Sequence, residues 1–506
     1  MRILLWHGWL LSGTGSNIYA ARTAEVYRAR GHQVVLLCQE DHPQEASFVD
    51  EWGTVGAGGV SETRPTAAEP APGRVVLLRP EIGELLPVFV LDEYEGFVVK
   101  RFLDLTDDEL DRYLERNVAA LEAAVRWHRP EVVVAGHAVP GAVVAARALG
   151  GRGFVAKVHG SDLEYCIRHQ DRYLRLAREG LEAATAVTGG SDDVLSRTAE
   201  LVPGVAGRLR KVPPGVEVGR FRPKPRREAL QEAAALLVRN PDTARGRPDD
   251  LDGKVAELLA ARDAAGLDAL ARTYDQRVPD PGAAERLQAL ASRGGPVVGY
   301  LGKLIPQKGV ERMIEAVALL PGDVSGLVVG FGTHRDWLAA VVGALDGSDT
   351  EGFDWLRRRL GLELHGAEVT AVRGLGGRIV FTGRLDHRYA PLAMAAMDVM
   401  VVPSTLAEAF GMVAAEAAAA GALPLVARHS ALAEVAGALE EALGRPGLLS
   451  FEGGEGAARR VADSVRRILE LDPAQRAELG EAVSRFVATE WTWERTSERL
   501  LEAAAG

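Results

Sequence analysis

Short apolar runs alternate with amphipathic stretches along most of the chain, and their spacing predicts two successive series of buried parallel strands separated by helices. Arg2 to His7 reads as a first strand, a glycine loop follows, a helix runs from about Asn17 to Arg30, and Gly31 leads into the strand Gln33 to Cys38. That succession is a βαβ unit. Glu131 to Gly136 and Phe154 to His159 are further strand-like runs, each preceded by a helical segment. Each ends in polar residues at the carboxyl edge, where parallel sheets place ligands. A second series begins at Pro296 to Gly302 and continues through Gly326 to Gly330, Arg378 to Gly383, Asp398 to Pro403 and Leu423 to Ala427. The predicted fold class is α/β, with two doubly wound, Rossmann-like domains. Between the two series, about 224–293 is rich in Ala, Arg, Asp and Glu with scattered Pro and reads as a helical insert with loops. A smaller insert spans about 346–377, and a last helix starts near Trp493. The region from about Asp41 to Asp104 carries no readable motif.

Bulk properties narrow the function classes. With 506 residues the chain exceeds one hydrophobic core and divides into two or three units. A net charge of -11 opposes non-specific attraction to nucleic acid, which is not expected as a partner. Cys38 and Cys166 have neither metal-ligand spacing nor the pattern of a disulfide framework, as suits a reducing compartment. The apolar run at the N-terminus is interrupted by Gly8, too soon for a signal peptide, and no stretch approaches about 20 apolar residues. The expected location is cytoplasmic. Basic side chains cluster from Arg197 to Arg227, which suits either a solvated face or peripheral contact with a membrane or anionic acceptor.

The most informative segment runs Pro403-Ser404-Thr405-Leu406-Ala407-Glu408-Ala409-Phe410-Gly411-Met412-Val413-Ala414-Ala415-Glu416, between a buried strand and an Ala-rich helix closed by Gly421. On one continuous helix, the spacing of Glu408 and Glu416 would leave the two carboxylates unaligned. They converge on one extended ligand only if Glu408 lies in the loop and Glu416 on the helix. A helix beginning near Gly411 would offer its first N–H groups and its dipole to a phosphate. Glu416 sits among Met, Val and Ala, so its carboxylate needs donors, and ribose hydroxyls are suitable ones. Lys303 and Lys308, at the carboxyl end of the strand opening the second series, form a candidate site for a leaving diphosphate. His159, at a strand end in the first series, offers an imidazole to a sugar hydroxyl or to developing charge. The loop Gly13-Thr14-Gly15-Ser16-Asn17 presents backbone donors at a helix start. It also resembles an incomplete dinucleotide fingerprint, with Glu40 placed to hold a ribose. Asp250-Leu251-Asp252, beside Asp249, reads as a solvated acidic loop, and no metal site is inferred.

Together these segments resemble the family-4 retaining glycosyltransferases of the GT-B fold, over both sheets but neither insert. The motif Pro-Ser-x-x-Glu-x-Phe-Gly-x-x-x-x-Glu is the most specific part of the likeness. The resemblance implies two Rossmann-like domains facing across a cleft: 1–217 with a final helix 493–506 packing back, and 218–492. It implies that Glu416 holds the ribose and that Glu408 lies against the donor sugar. Backbone at Phe410, Gly411, Met412 and Val413 would meet sugar and phosphates, and Lys303 and Lys308 the diphosphate. His159 would lie near the sugar, Gly13 and Gly15 would form the first-domain loop, and Gly330-Phe331-Gly332 with Arg384-Leu385 would receive the base. Lys303 stands where arginine is usual, keeping charge but losing bidentate geometry. Ala409 replaces a usual glycine, and Ser430-Ala431-Leu432-Ala433-Glu434 lacks the usual glycine pair. The implied reaction is metal-independent transfer of a hexosyl group from a nucleotide diphosphate sugar, a UDP-sugar favoured, with no cofactor. The acceptor is a sugar, glycolipid or small molecule, and oligomeric state is not legible. The competing readings are a non-catalytic nucleotide-sugar-binding protein and an NAD-dependent oxidoreductase built on the first glycine loop.

Overall fold

The computed structural model describes residues 1–90, 94, 96–239, 250–273, 279–386 and 388–506. The chain divides into two units, Met1–Gly215 with Trp491–Gly506, and Val216–Glu490. Both crossings fall two residues before the expected boundaries at 217 and 493. Gly215 already lies against the returning chain, where a Cβ on it would come 2.2 Å from the backbone nitrogen of Trp493.

Unit 1 holds a ten-stranded sheet. Across it run Leu209–Lys211, Ala186–Gly189, Val155–Lys157, Val132–Gly136, Arg2–Trp6, Gln33–Leu37, Arg74–Pro80, Glu51–Gly56 and Gly59–Val60, with Arg64–Pro65 also pairing to Glu51–Gly56. Pairing is parallel except for the two short strands against Glu51–Gly56. The central strands are buried along nearly their whole length, Leu4, Leu36 and Leu77 completely, as a parallel sheet covered on both faces requires. From Arg2–Trp6 the chain builds outward on one side and later returns on the other through Val132–Gly136, which makes the ends of these two strands the switch point. The unread region 41–104 supplies Glu51–Gly56, Gly59–Val60, Arg64–Pro65, Arg74–Pro80 and a separate parallel pair, Leu85–Val88 with Val98–Arg101. The last helix, Trp493–Ala505, packs on Gly15–Ala29. There the Tyr27 hydroxyl donates to Ser497 O at 3.1 Å and the Thr496 hydroxyl to Pro213 O at 2.8 Å.

Unit 2 holds six parallel strands in the order Ile379–Phe381, Ser325–Val329, Val297–Leu301, Val399–Val402, Leu423–Ala427 and Ser450–Phe451. Its switch point lies between Val297–Leu301 and Val399–Val402, the strands that precede the lysine pair and the acid pair.

The described residues of 224–293 are largely helical, and only part of them is an insert. Arg226–Val238 and Ala283–Arg293 pack on each other, the first also on Ala390–Ala395 and the second on the strand Ile379–Phe381, so both belong to the helical layer over the sheet. Leu251–Ala260 and Ala264–Ala271 pack on Arg335–Asp346. Arg335 anchors this junction: wholly buried, it donates from Nε to Asp280 at 2.9 Å and from Nη1 to Asp336 at 3.2 Å, over the ring of Phe381. The expected acidic loop is a helix start. Asp250 accepts from Gly253 N at 3.0 Å and caps Leu251–Ala260, while Asp252 lies 3.6 Å from Arg286; Asp249 falls outside the described residues. Among the described residues no three His, Cys, Asp or Glu side chains group as metal ligands. The second insert forms the helices Thr350–Leu360 and Ala367–Ala371. It is held by buried Glu315, which accepts from Glu363 N and Leu364 N at 2.7 and 2.8 Å and whose carboxyl burial pushes up to about 7.

Much of the basic run from Arg197 to Arg227 is neutralised internally. Arg197 is buried against Glu164 and Asp193, Lys211 pairs with Asp192, Lys224 with Glu232, and Arg226 with Asp398. Among the described residues no helix is long and apolar enough to cross a membrane.

Candidate active site

In unit 2 the two adjacent switch-point strands deliver their loops into direct contact. After Val297–Leu301 the chain passes through Gly302 and Lys303 to the short turn Pro306–Lys308. After Val399–Val402 it passes through Pro403 to Glu408. Thr405 joins the two, donating from both its backbone N and its hydroxyl to Gln307 O at 2.9 and 3.0 Å. Lys308 forms an ion pair with Glu408, so two of the expected site residues meet. Beneath them, the hydroxyl of buried Tyr300 donates to Lys303 O at 2.9 Å and fixes the backbone that presents the other lysine.

Glu408 lies in the loop and Glu416 on the following helix, Met412–Ala419, as convergence of the two acids requires. Gly411 precedes this helix at φ +90°, a left-handed conformation unfavourable for any side chain, and a Cβ there would lie 2.6 Å from Leu432 Cδ2. Conformation and space both select glycine. Gly411→Ala is expected to destabilise by about 1–3 kcal/mol, read as a lower urea midpoint with an unchanged m-value. The first N–H groups of the helix, at Met412 and Val413, have no acceptor inside it and carry the positive end of its dipole. Phe410 is buried beside them.

Glu416 is half-buried, and among the described residues no donor reaches its carboxylate. Burial pushes the carboxyl up to about 8, with the charge of Glu217 adding to the effect. A ligand hydroxyl would supply the missing hydrogen bond.

The loop Gly330-Phe331-Gly332 follows the neighbouring strand Ser325–Val329. Gly332 packs so closely that a Cβ would sit 2.4 Å from Leu304 O, and Leu304 N donates to Phe331 O at 2.7 Å. Arg384 lies over the Phe331 ring at 5.7 Å, next to buried Leu385. The two segments expected at the base are therefore neighbours.

In unit 1, His159 follows Val155–Lys157 and is not alone. It stacks tilted on His137 with centroids 4.4 Å apart and meets the edge of Tyr19 at 5.3 Å. His7 follows Arg2–Trp6, shares a hydrogen bond of 2.8 Å between Nε2 and Asn17 Oδ1, and lies 6.3 Å from His137. All three rings are held neutral. Burial depresses His137 and His159 well below the ordinary histidine value, the neighbouring histidines add to this, and burial lowers His7 to about 4. Burial also lowers Lys157 to about 7, its Nζ donating to Val212 O at 3.0 Å over the Tyr19 ring. Asp162, fully buried and raised by burial to about 6, accepts from Ala138 N at 2.7 Å and Leu163 N at 3.1 Å, tying together the turns that follow His137 and His159.

His7, His137 and Asp162, which share this cluster with His159, were not singled out in the sequence. The usable signal was placement, because His7 and His159 end predicted strands and His137 directly follows one. Gly13 takes φ +91° and Gly15 opens the helix Gly15–Ala29, with Thr14 as its cap. Glu40 does not present a free carboxylate to a ribose: its two oxygens accept from Leu11 N at 3.0 Å and His42 N at 3.1 Å. The dinucleotide reading thereby loses its acid.

Comparison with known proteins matches residues 14–215 to the glycosyl transferase 4-like domain and residues 284–485 to the glycosyl transferases group 1 domain. The 2-deoxystreptamine glucosyltransferase of Streptomyces kanamyceticus is 31% identical over 256 residues, 49% of this chain and 54% of that protein. The D-inositol 3-phosphate glycosyltransferase of Mycobacterium bovis is 29% identical over 279 residues, 54% of this chain and 49% of that protein. The chain thus spans about half the length of the curated relatives it matches. Among solved structures, sucrose-phosphate synthase from Thermosynechococcus elongatus superposes with a TM-score of 0.58 at 18% identity, over 99% of this chain and 97% of that one. The Anabaena HepE protein in complex with UDP and glucose does so with a TM-score of 0.56 at 16% identity, over 100% and 99%. At such identities the likeness shows the fold, which is GT-B with two Rossmann-like units.

Proposed function

We propose, for a chain that joins a glycosyl transferase 4-like domain to a glycosyl transferases group 1 domain, that it moves a hexosyl group from a UDP-sugar to an acceptor hydroxyl with retention of configuration and without a metal. The observation that carries this reading is the switch point of unit 2, where the lysine loop and the Glu408 loop are stitched together ahead of a helix start, with Glu416 lacking a donor one helical turn on. Glu416 takes the ribose hydroxyls, and the Phe331–Arg384–Leu385 neighbourhood takes the base. Lys303, Lys308 and the N–H groups at Met412 and Val413 take the diphosphate, while Glu408 lies beside the sugar.

The reaction is a front-face displacement. As the bond from the anomeric carbon to the diphosphate lengthens, charge on the departing oxygens is met by the two ammonium groups and the helix start. The departing oxygen accepts the proton of the incoming hydroxyl, so no side chain is required as base. His159, neutral, can accept from or donate to a sugar hydroxyl but supplies no positive charge. The HepE structure with UDP and glucose supports UDP as the carrier, and the names of the two relatives support a small-molecule acceptor.

Thermal unfolding with UDP, GDP, ADP and NAD tests the reading. A nucleotide at about 100 times its Kd stabilises by ~2.7 kcal/mol, and UDP is expected to raise Tm with or without EDTA. A rise with NAD alone overturns the glycosyltransferase reading, and loss of the UDP effect in EDTA overturns metal independence. Retention is read from the anomeric proton coupling of the transferred sugar in an NMR spectrum of the product.

A further inference from the structure

The loop that carries Glu408 is held from the far side by two residues beyond the acid motif. His429 and Ser430 follow the strand Leu423–Ala427, which lies next to the motif strand Val399–Val402 in the sheet. His429 Nε2 lies 2.6 Å from Ser404 O, at the start of the loop. Its Nδ1 lies 3.1 Å from the Ser430 hydroxyl oxygen, which in turn accepts from Glu408 N at 3.0 Å. With the ring proton on Nε2, every contact has one donor and one acceptor: His429 Nε2–H to Ser404 O, Ser430 Oγ–H to His429 Nδ1, and Glu408 N–H to Ser430 Oγ. The chain of bonds spans the loop from Ser404 to Glu408, and Lys308 holds the carboxylate from the other side.

Ser430 adopts φ +48°, in the left-handed region that a residue with a side chain avoids and glycine enters without cost. A side chain kept at such a position points to a use for that side chain. The hydroxyl is the part in contact with Glu408.

We propose that His429 and Ser430 are positioning residues that fix where the Glu408 carboxylate meets the donor sugar, acting through the loop backbone rather than on the substrate. The inference rests on the glycosyltransferase reading, because it assigns Glu408 to the sugar. It adds that two residues outside the acid motif, on the neighbouring strand's loop, set the orientation of that acid.

The test separates stability, nucleotide binding and turnover in Ser430→Gly, His429→Ala and His429→Gln. Ser430→Gly removes the hydroxyl and also relieves the left-handed strain, so Tm is expected to hold or rise. Its UDP Kd should stay within twofold of the wild type while kcat with the UDP-sugar falls about tenfold, the worth of a hydrogen bond lost from the loop. His429→Ala should lose turnover similarly, and His429→Gln, which keeps a donor, should recover part of it. Full kcat in both Ser430→Gly and His429→Ala overturns the proposal. So does a loss of turnover that tracks a fall in Tm, since that is the mark of a purely structural contact. Absence of turnover in the wild type with any nucleotide sugar would instead count against the functional reading on which the proposal stands.

Discussion

Lys308→Ala is expected to lower kcat at saturating donor by about 10²–10³, or ~2.7–4 kcal/mol of transition-state stabilisation, the cost of removing a group aimed at developing negative charge. The side chain has two tasks in the structure. Its ammonium group pairs with Glu408, and it projects from a turn whose backbone is bound to the Glu408 loop through Thr405. Removing it therefore deletes the charge that the proposed reaction sets against the diphosphate and leaves the neighbouring carboxylate without its counter-ion. The two effects separate in a cycle with Glu408→Gln. If Lys308 serves only to neutralise Glu408, the double variant turns over as fast as Glu408→Gln alone. If the ammonium group serves the leaving group, the double variant is slower than Glu408→Gln by about the same 10²–10³. Steady-state kcat for the four proteins decides this, and wild-type turnover in Lys308→Ala ends the assignment of that residue.

Glu416→Gln is expected to weaken UDP by about 10- to 100-fold, the range for a hydrogen bond of ~1.5–3 kcal/mol to a charged group. The same substitution is expected to help the ligand-free protein at alkaline pH. The folded carboxyl has its pKa raised from 4.5 to about 8, because burial penalises the ionised form. A raised folded value means that the fold holds the proton more tightly than the unfolded chain does. The stabilisation from that proton is complete below pH 4.5, declines as pH rises, and is gone above about 8. Wild-type stability should therefore fall between pH 5 and 8 relative to Glu416→Gln, which has no proton to lose. Urea titrations of both proteins at pH 5 and 8 test the sign, and isothermal calorimetry with UDP tests the affinity. Parallel stability in the two proteins would remove the buried-carboxylate account of Glu416, and unchanged UDP affinity would remove its role at the ribose.

Unit 2 was the more legible half of the molecule. Its strands are apolar on both faces, and they appear in the chain as runs such as Val399–Val402 and Leu423–Ala427 that leave little choice of element. The loop positions of Lys303, Lys308 and Glu408 were legible because each follows such a run, where a parallel sheet presents its ligand edge. Within 41–104 the shortest strands offer little pattern, Val98–Arg101 being exposed at both ends and Arg64–Pro65 throughout, whereas the seven-residue strand Arg74–Pro80 has a buried apolar centre that the sequence does show and that was passed over. Periodicity has no purchase on strands of two to four residues that owe their place to a neighbour. Arg226–Val238 and Ala283–Arg293 were assigned to an insert for a similar reason. Helices with many alanines and charges look alike whether they cover a sheet or extend from it, and only packing against Ala390–Ala395 and Ile379–Phe381 distinguishes them. The contacts of His429 and Ser430 with the Glu408 loop were invisible for a different cause. They are hydrogen bonds to residues some 20 positions earlier, and no local pattern encodes which strand will be the neighbour.

The placement of Trp493–Ala505 in unit 1 also bears on how the protein is made. The helix covers Tyr19 and Tyr27 of Gly15–Ala29 and braces Pro213. A ribosome reading this message releases every residue of unit 2 before that helix emerges. The first sheet to be synthesised is thus the last to be completed, and until then it exposes an aromatic surface to the crowded space around the nascent chain. Unit 2, continuous from Val216 to Glu490, has all its parts earlier. The order of synthesis and the order of completion therefore run in opposite directions.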